Sequence, residues 1–132
     1  MLQRIEEKEK LRLYRLSKDE KRELIKRIKD ILNEKDEIIV AIIYGSFLEG
    51  LNFRDIDVAV YVGKRINPLK YGAKLEKQLG ELGFPFDVRL LNFAPPWFIK
   101  KVVETGLLLL DKEKIIDALH LAALEELGLD FR

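Results

Sequence analysis

Two apolar runs separated by a short mixed stretch dominate the middle of the chain, at residues 38–44 and 55–62. The first run is continuous and rich in β-branched residues, which predicts a central strand covered on both faces. A glycine–serine pair ends it, and residues 47–53 are predicted to form a short helix or loop. The second run predicts a strand that begins with two aspartates, Asp55 and Asp57. Burying an unpaired carboxylate is costly, so these acids are expected to have a cation or hydrogen-bond donors nearby.

Helical periodicity and turn residues predict the elements on either side of these strands. Ser17 and Glu20 have the form of a capping box, and the apolar spacing after them predicts a helix over 18–34. The later elements are predicted to be a helix over 68–82 opened by Asn67 and Pro68, a strand over 86–92, a helix from Ala94 through 104, a strand over 107–110, and a helix over 112–127 capped by Asp111.

The order of these elements predicts an α/β (α+β) fold with a mixed, twisted sheet of about four strands flanked by helices. The sheet should be mixed because the connection after the first central strand is too short for the crossover that parallel strands require. Residues 1–16 are dense in charge and predict an N-terminal arm or helix, while residues 17–132 predict a single domain.

Composition excludes several kinds of chemistry. The chain has 132 residues, no cysteine and a net charge of +1, which excludes disulfides, zinc–thiolate sites and cysteine nucleophiles and gives no indication of a nucleic-acid surface. There is no apolar run of the roughly 20 residues that span a bilayer, and the N-terminus lacks the apolar segment of a signal peptide. We therefore expect a cytoplasmic protein without membrane contact. The single histidine, His120, is predicted to be structural or superficial.

The two aspartates and three other residues form the candidate site. Asp55 and Asp57 lie two apart on a strand, so both should project from one face with Cβ atoms roughly 6.5–7 Å apart. Carboxylates so placed can share Mg²⁺ or Mn²⁺, and Asp87, the only acid in the third predicted strand, is the natural third ligand. Gly45 allows a ligand to approach the backbone closely, and Ser46 adds a hydroxyl donor for a phosphate.

Structural alternatives remain open for these residues. The aspartate pair could be solvated acids at a strand end. Asp87 could form a salt bridge with Arg89 or Arg54, and Ser46 could be a helix N-cap. Trp97, which follows two prolines, is predicted to be a packing anchor rather than a platform for a nucleotide base.

The glycine–serine pair at 45–46, followed by Asp-Ile-Asp at 55–57, resembles the signature of the DNA polymerase β-like nucleotidyltransferase superfamily. Within that superfamily, the chain resembles the minimal nucleotidyltransferase (MNT) family. Residues 91–96 and 104–110 are similar to the C-terminal half of the MNT proteins that are paired with HEPN toxins. The resemblance covers about residues 20–112.

The resemblance implies a nucleotidyltransferase fold and a Mg²⁺-dependent transfer of a nucleoside monophosphate, with AMP from ATP expected. Gly45 and Ser46 would hold the triphosphate, and Asp55 and Asp57 would bind two Mg²⁺ ions. Asp87 would bind the catalytic metal and help to activate the acceptor hydroxyl. In the toxin–antitoxin members, the MNT protein adenylylates a tyrosine of its HEPN ribonuclease partner and silences it. A HEPN toxin is therefore the expected partner, in a homo- or hetero-oligomer.

The sequence departs from the family pattern at two points. The spacer between Ser46 and Asp55 is eight residues, shorter than is usual, and Phe47 stands where the family often has arginine. The shorter spacer could tighten the loop harmlessly or weaken nucleotide binding. Two alternative functions stay open: an MNT-fold module that neutralises a HEPN partner by contact alone, and an Asp-X-Asp glycosyltransferase-like enzyme.

Overall fold

The computed structural model describes residues 12–63 and 65–129. Its elements are β1 (Tyr14–Arg15), α1 (Lys18–Asn33), β2 (Ile38–Tyr44), α2 (Ser46–Glu49), β3 (Asn52–Phe53), β4 (Ile56–Val62), α3 (Pro68–Gly80), β5 (Phe86–Leu90), a 3-10 turn (Leu91–Phe93), α4 (Pro96–Thr105), β6 (Leu107–Asp111) and α5 (Ile116–Glu126). Most of the predicted N-terminal arm lies outside the described residues. Its last part forms β1, which pairs with β3 in a small antiparallel sheet.

The main sheet has four strands in the order β5-β4-β2-β6, which confirms the predicted mixed sheet. Strand β2 runs antiparallel to both of its neighbours, β4 and β6, whereas β4 and β5 are parallel. All seven residues of β2 are buried, as expected for a central strand covered on both faces. Helices α1 and α3 cover one face and contribute Leu24, Ile28 and Leu75 to its core. Helices α4 and α5 cover the other face.

The start signals of two helices act as predicted. The Ser17 hydroxyl accepts a hydrogen bond from the Glu20 amide at 3.1 Å, and the Glu20 carboxylate accepts one from the Ser17 amide at 2.8 Å. The Asn67 side chain accepts a hydrogen bond from the Lys70 amide at 3.1 Å, with Pro68 in the first turn. These bonds satisfy amides that have no partner inside the helix.

Several predicted boundaries are shifted: α3 ends at Gly80 rather than at residue 82, and α4 begins at Pro96 rather than at Ala94. The third predicted strand ends at Leu90 rather than at residue 92, because the chain turns there into the 3-10 segment. The last helix begins at Ile116 rather than near residue 112, because Lys114 has a left-handed φ of 56° that interrupts helical geometry. The N-cap residue is Ile115, but the carboxylate of Asp111 still accepts hydrogen bonds from the amides of Ile115 and Ile116 at the helix start, at 2.9 and 3.0 Å. Within the described residues, no helix combines the length and apolarity needed to cross a membrane.

Candidate active site

Two carboxylates from adjacent parallel strands, Asp57 and Asp87, project from the face of the sheet that α4 and α5 cover, and a third, Asp55, lies just before one of these strands. Asp57 in β4 lies beside Asp87 in β5 and opposite Tyr44 in β2. Residues side by side in a parallel pair point to the same face, and the neighbours of Asp57 and Asp87 in sequence all belong to the core of the opposite face. Asp55 directly precedes β4, and its carboxylate is near enough to Asp57 to raise the pKa of that group. The structure therefore brings the predicted acids together.

Asp57 is held in an environment that disfavours its charge. Burial first, and then the nearby carboxylates of Asp55 and Asp87, raise the pKa of Asp57 from 3.8 to about 6, while Arg89 opposes the shift. Tyr44, which lies opposite Asp57 in the neighbouring strand, is affected by the same burial and negative charge. Its pKa is raised chiefly by burial and further by the charge of Asp57. Negative charge is thus concentrated in a half-buried site, where a divalent cation would relieve the repulsion.

Gly45 places the backbone directly against the acid pair. Its φ of 83° and ψ of −158° lie in a region that is almost exclusive to glycine. A Cβ atom at this position would overlap Oδ2 of Asp57. Gly45 is also the N-cap of α2, so the alternative that Ser46 is the N-cap is wrong. Ser46 is the first residue of that helix and is exposed beside the corner.

Lys21, which was not among the predicted site residues, anchors the loop between Gly45 and β4. The Lys21 ammonium donates hydrogen bonds to the carbonyls of Phe47 and Gly50, at 2.7 and 2.9 Å. Phe47 is fully buried and packs edge-on against Phe53, with ring centroids 4.9 Å apart. The sequence pattern does indicate that Lys21 faces the protein, because Lys21 lies one turn before Leu24 on the buried side of α1.

The predicted competitor for Asp87 is present in the structure. Arg89 Nε lies 3.6 Å from Asp87 Oδ2, and both side chains are partly exposed. The guanidinium carbon of Arg89 also lies 5.6 Å from the ring centroid of Phe98. Trp97, which was predicted to be a packing anchor, packs edge-on against Phe98 with ring centroids 5.9 Å apart, and 57% of its surface remains exposed. His120 bonds Glu104 across α4 and α5 at 2.7 Å, which confirms its structural role.

The donor set suits a cation that is shared with a nucleotide. Among the residues that the structure describes, no group of three acidic or histidine side chains is arranged to hold a metal ion by itself. Magnesium sites for nucleotides do not need such a cage, because one or two carboxylates are usually completed by phosphate oxygens and water. Asp55 and Asp57 provide such a pair. Asp87 lies beside Asp57 on the same face and is also paired with Arg89.

Comparisons with known proteins place the chain among nucleotidyltransferases. The family described as "Polymerase beta, Nucleotidyltransferase" matches residues 26–115. No curated protein matches the chain significantly. Similar solved structures include the toxin–antitoxin MntA-HepT, at 16% identity over 81% of this chain and 86% of that one, with a TM-score of 0.67.

Two other similar structures have nucleotide chemistry in their descriptions. One is a tri-AMPylated Shewanella oneidensis HEPN toxin in complex with MNT antitoxin, at 17% identity over 82% of this chain and 87% of that one, with a TM-score of 0.67. The other is a toxin–antitoxin with AMP-PNP, at 18% identity over 80% and 86% of the two chains, with a TM-score of 0.65. At these identities the likeness establishes the fold.

Proposed function

This chain belongs to the polymerase β nucleotidyltransferase family, and we propose that it moves AMP from ATP onto a hydroxyl of a HEPN toxin partner, as an MNT antitoxin. The observation that carries the proposal is that Asp57 and Asp87 lie side by side on one face, with Asp55 near Asp57 and the Gly45 corner directly against it. The role of each residue is part of the proposal.

The proposed reaction is a single displacement at phosphorus. The acceptor oxygen attacks the α-phosphorus of ATP, the bond from that phosphorus to the oxygen bridging to the β-phosphate breaks, and pyrophosphate leaves. The acceptor's proton passes to the carboxylate of Asp87. Mg²⁺ held by Asp55 and Asp57 would neutralise charge on the phosphates when bound. Such chemistry depends on positioning and electrostatic stabilisation and needs no covalent nucleophile.

The corner that precedes α2 would hold the triphosphate. Gly45 lets phosphate oxygens approach the backbone without meeting a side chain, and the exposed Ser46 hydroxyl can donate a hydrogen bond to them. Lys21 fixes this loop by its two carbonyl contacts, so we assign it a positioning role. The shorter spacer is therefore an anchored loop, which supports a competent nucleotide site.

The partner and the nucleotide come into the proposal through the similar structures. Several are described as toxin–antitoxin complexes, one with an AMPylated HEPN toxin and one with AMP-PNP. A tyrosine of the partner is the proposed acceptor. These relationships support, for this chain, the same pairing of nucleotide and partner.

Incubation with labelled ATP, Mg²⁺ and the candidate HEPN partner tests the proposal. We expect label on the partner, and we expect Asp57→Asn to reduce it at least about a hundredfold because a metal-binding carboxylate is lost. Asp36→Asn, at an exposed turn aspartate, is the matched control and should transfer normally. Neutralisation of the toxin by Asp57→Asn at full strength, without label, would instead establish an antitoxin that acts by contact alone.

A further inference from the structure

A small pocket lies beside the third acid of the candidate site, at the start of α4. It has a volume of about 120 Å³. Its lining consists of Arg89, Leu90, Ala94, Pro95, Trp97 and Phe98. Neither the family match nor the reaction proposed above accounts for it.

Two contacts connect this pocket to the candidate site. Arg89 in its lining has Nε 3.6 Å from Oδ2 of Asp87. Phe98 in its wall packs edge-on against Tyr44, with centroids 5.4 Å apart, and Tyr44 is paired with Asp57 across the strands. The pocket therefore lies on the same face of the sheet as the acids and next to Asp87.

We propose that this pocket is the acceptor subsite and that it receives the aromatic ring of a tyrosine, with the phenolic oxygen directed towards Asp87. The inference rests on the proposed function and adds to it the residues that would select the acceptor. Trp97 and Phe98 would contact the ring, and Arg89 would lie beside the reacting oxygen.

The order of strands favours an acceptor at this position. The Gly45 corner follows β2 and Asp87 lies in β5, with β4 between them. In phosphoryl transfer the attacking oxygen and the leaving group lie roughly in line, on opposite sides of the phosphorus. If pyrophosphate leaves towards the Gly45 corner, the acceptor must enter from the side of Asp87, where Arg89 of the pocket lining lies.

The lining favours an aromatic ring that carries a hydroxyl group. Among the described residues of the lining, one side chain is charged, that of Arg89, and the others are apolar. Trp97 is 57% exposed, although a buried position would stabilise so large an apolar group. Tryptophan and arginine are enriched among the interface residues that dominate binding energy. An aliphatic hydroxyl side chain would leave the pocket unfilled, and adenine has no hydroxyl to present to Asp87.

Equilibrium binding tests the pocket without any turnover. Trp97 is the only tryptophan in the chain, so selectively excited tryptophan emission reports on this position alone. We expect N-acetyl-tyrosinamide to change the emission saturably and N-acetyl-serinamide to leave it unchanged. A saturable change with Mg-ATP but none with the tyrosine probe would make this a site for the nucleotide base and overturn the proposal.

Kinetics with the same small acceptor provide the second test. Trp97→Ala should raise KM for the tyrosine acceptor at least about tenfold, as for loss of an aromatic anchor, and leave KM for ATP within about twofold. Phe93→Ala is the control, because Phe93 is a neighbouring aromatic residue of similar exposure that lies outside the lining. Equal effects of the two variants, or no effect of Trp97→Ala, would overturn the proposal. If the wild-type protein labels no acceptor, the proposed function fails, and the emission titration still decides the pocket.

Discussion

Replacing Gly45 by alanine should damage both the fold and the site, and the structure separates the two effects. The left-handed backbone at φ 83° and ψ −158° is nearly closed to alanine, and holding it there costs about 1–3 kcal/mol. The new Cβ would also overlap Oδ2 of Asp57. Because Asp57 is only half-buried, its carboxylate can move aside, so the overlap should displace the metal-binding group rather than unfold the protein.

Gly83→Ala provides the matched control for this substitution. Gly83 has a φ of 103°, but a Cβ there would meet nothing within 4 Å. Both variants should lower the free energy of unfolding by about 1–3 kcal/mol, measured by urea denaturation with unchanged m-values. Only Gly45→Ala should lose AMP transfer, by at least about a hundredfold, since it alone moves a proposed metal ligand. Full transfer by Gly45→Ala at saturating Mg-ATP would refute the assignment of this corner to the active site.

Two further predictions concern the loop anchor and the titration of the site. Lys21→Met should lower the free energy of unfolding by about 1.5–3 kcal/mol, because two carbonyls lose a charged donor. Exposed Lys18→Met in the same turn should cost less than about 0.5 kcal/mol, and equal losses in denaturation would contradict the anchor. Without metal, the raised pKa of Asp57 means that the folded state binds a proton more tightly than the unfolded state, so stability falls as pH rises from about 4 to about 6. Asp57→Asn should remove this fall in stability, which is on the order of 1 kcal/mol after allowance for solvent screening. The measurement is denaturation in the presence of a chelator at pH values across that window. A pH profile of stability that is unchanged by Asp57→Asn would contradict the raised pKa of Asp57.

The main strands and helices could be predicted because their signals are local. The continuous β-branched run of β2 and the caps at Ser17 and Asn67 each specify an element by themselves. The short connection after β2 also fixes its antiparallel relation to β4. The start of α5 was misplaced because Lys114 has no residue-type signal for a left-handed backbone.

The site could be predicted only in part, because its remaining features depend on pairing between distant segments. The alternation of residues along β4 placed Asp57 on one face, but its position beside Asp87 comes from the register of β4 against β5. Lys21 was missed because a lysine on a helix is usually solvated, and its carbonyl partners lie 26 and 29 residues away. The large exposed area of Trp97 could not be predicted, because the exposure of a residue at a helix start depends on how the whole helix docks.

The mixed character of the sheet is what assembles the candidate site. Gly45 follows the C-terminal end of β2, whereas Asp57 is the second residue of β4, so an antiparallel pair is needed to bring them together. Asp87 is the second residue of β5, so a parallel pair is needed to place it beside Asp57. If β2 and β4 were parallel, the glycine corner and the aspartate pair would lie at opposite ends of the sheet. The mixed strand directions are therefore what places the end of β2 next to the beginnings of β4 and β5.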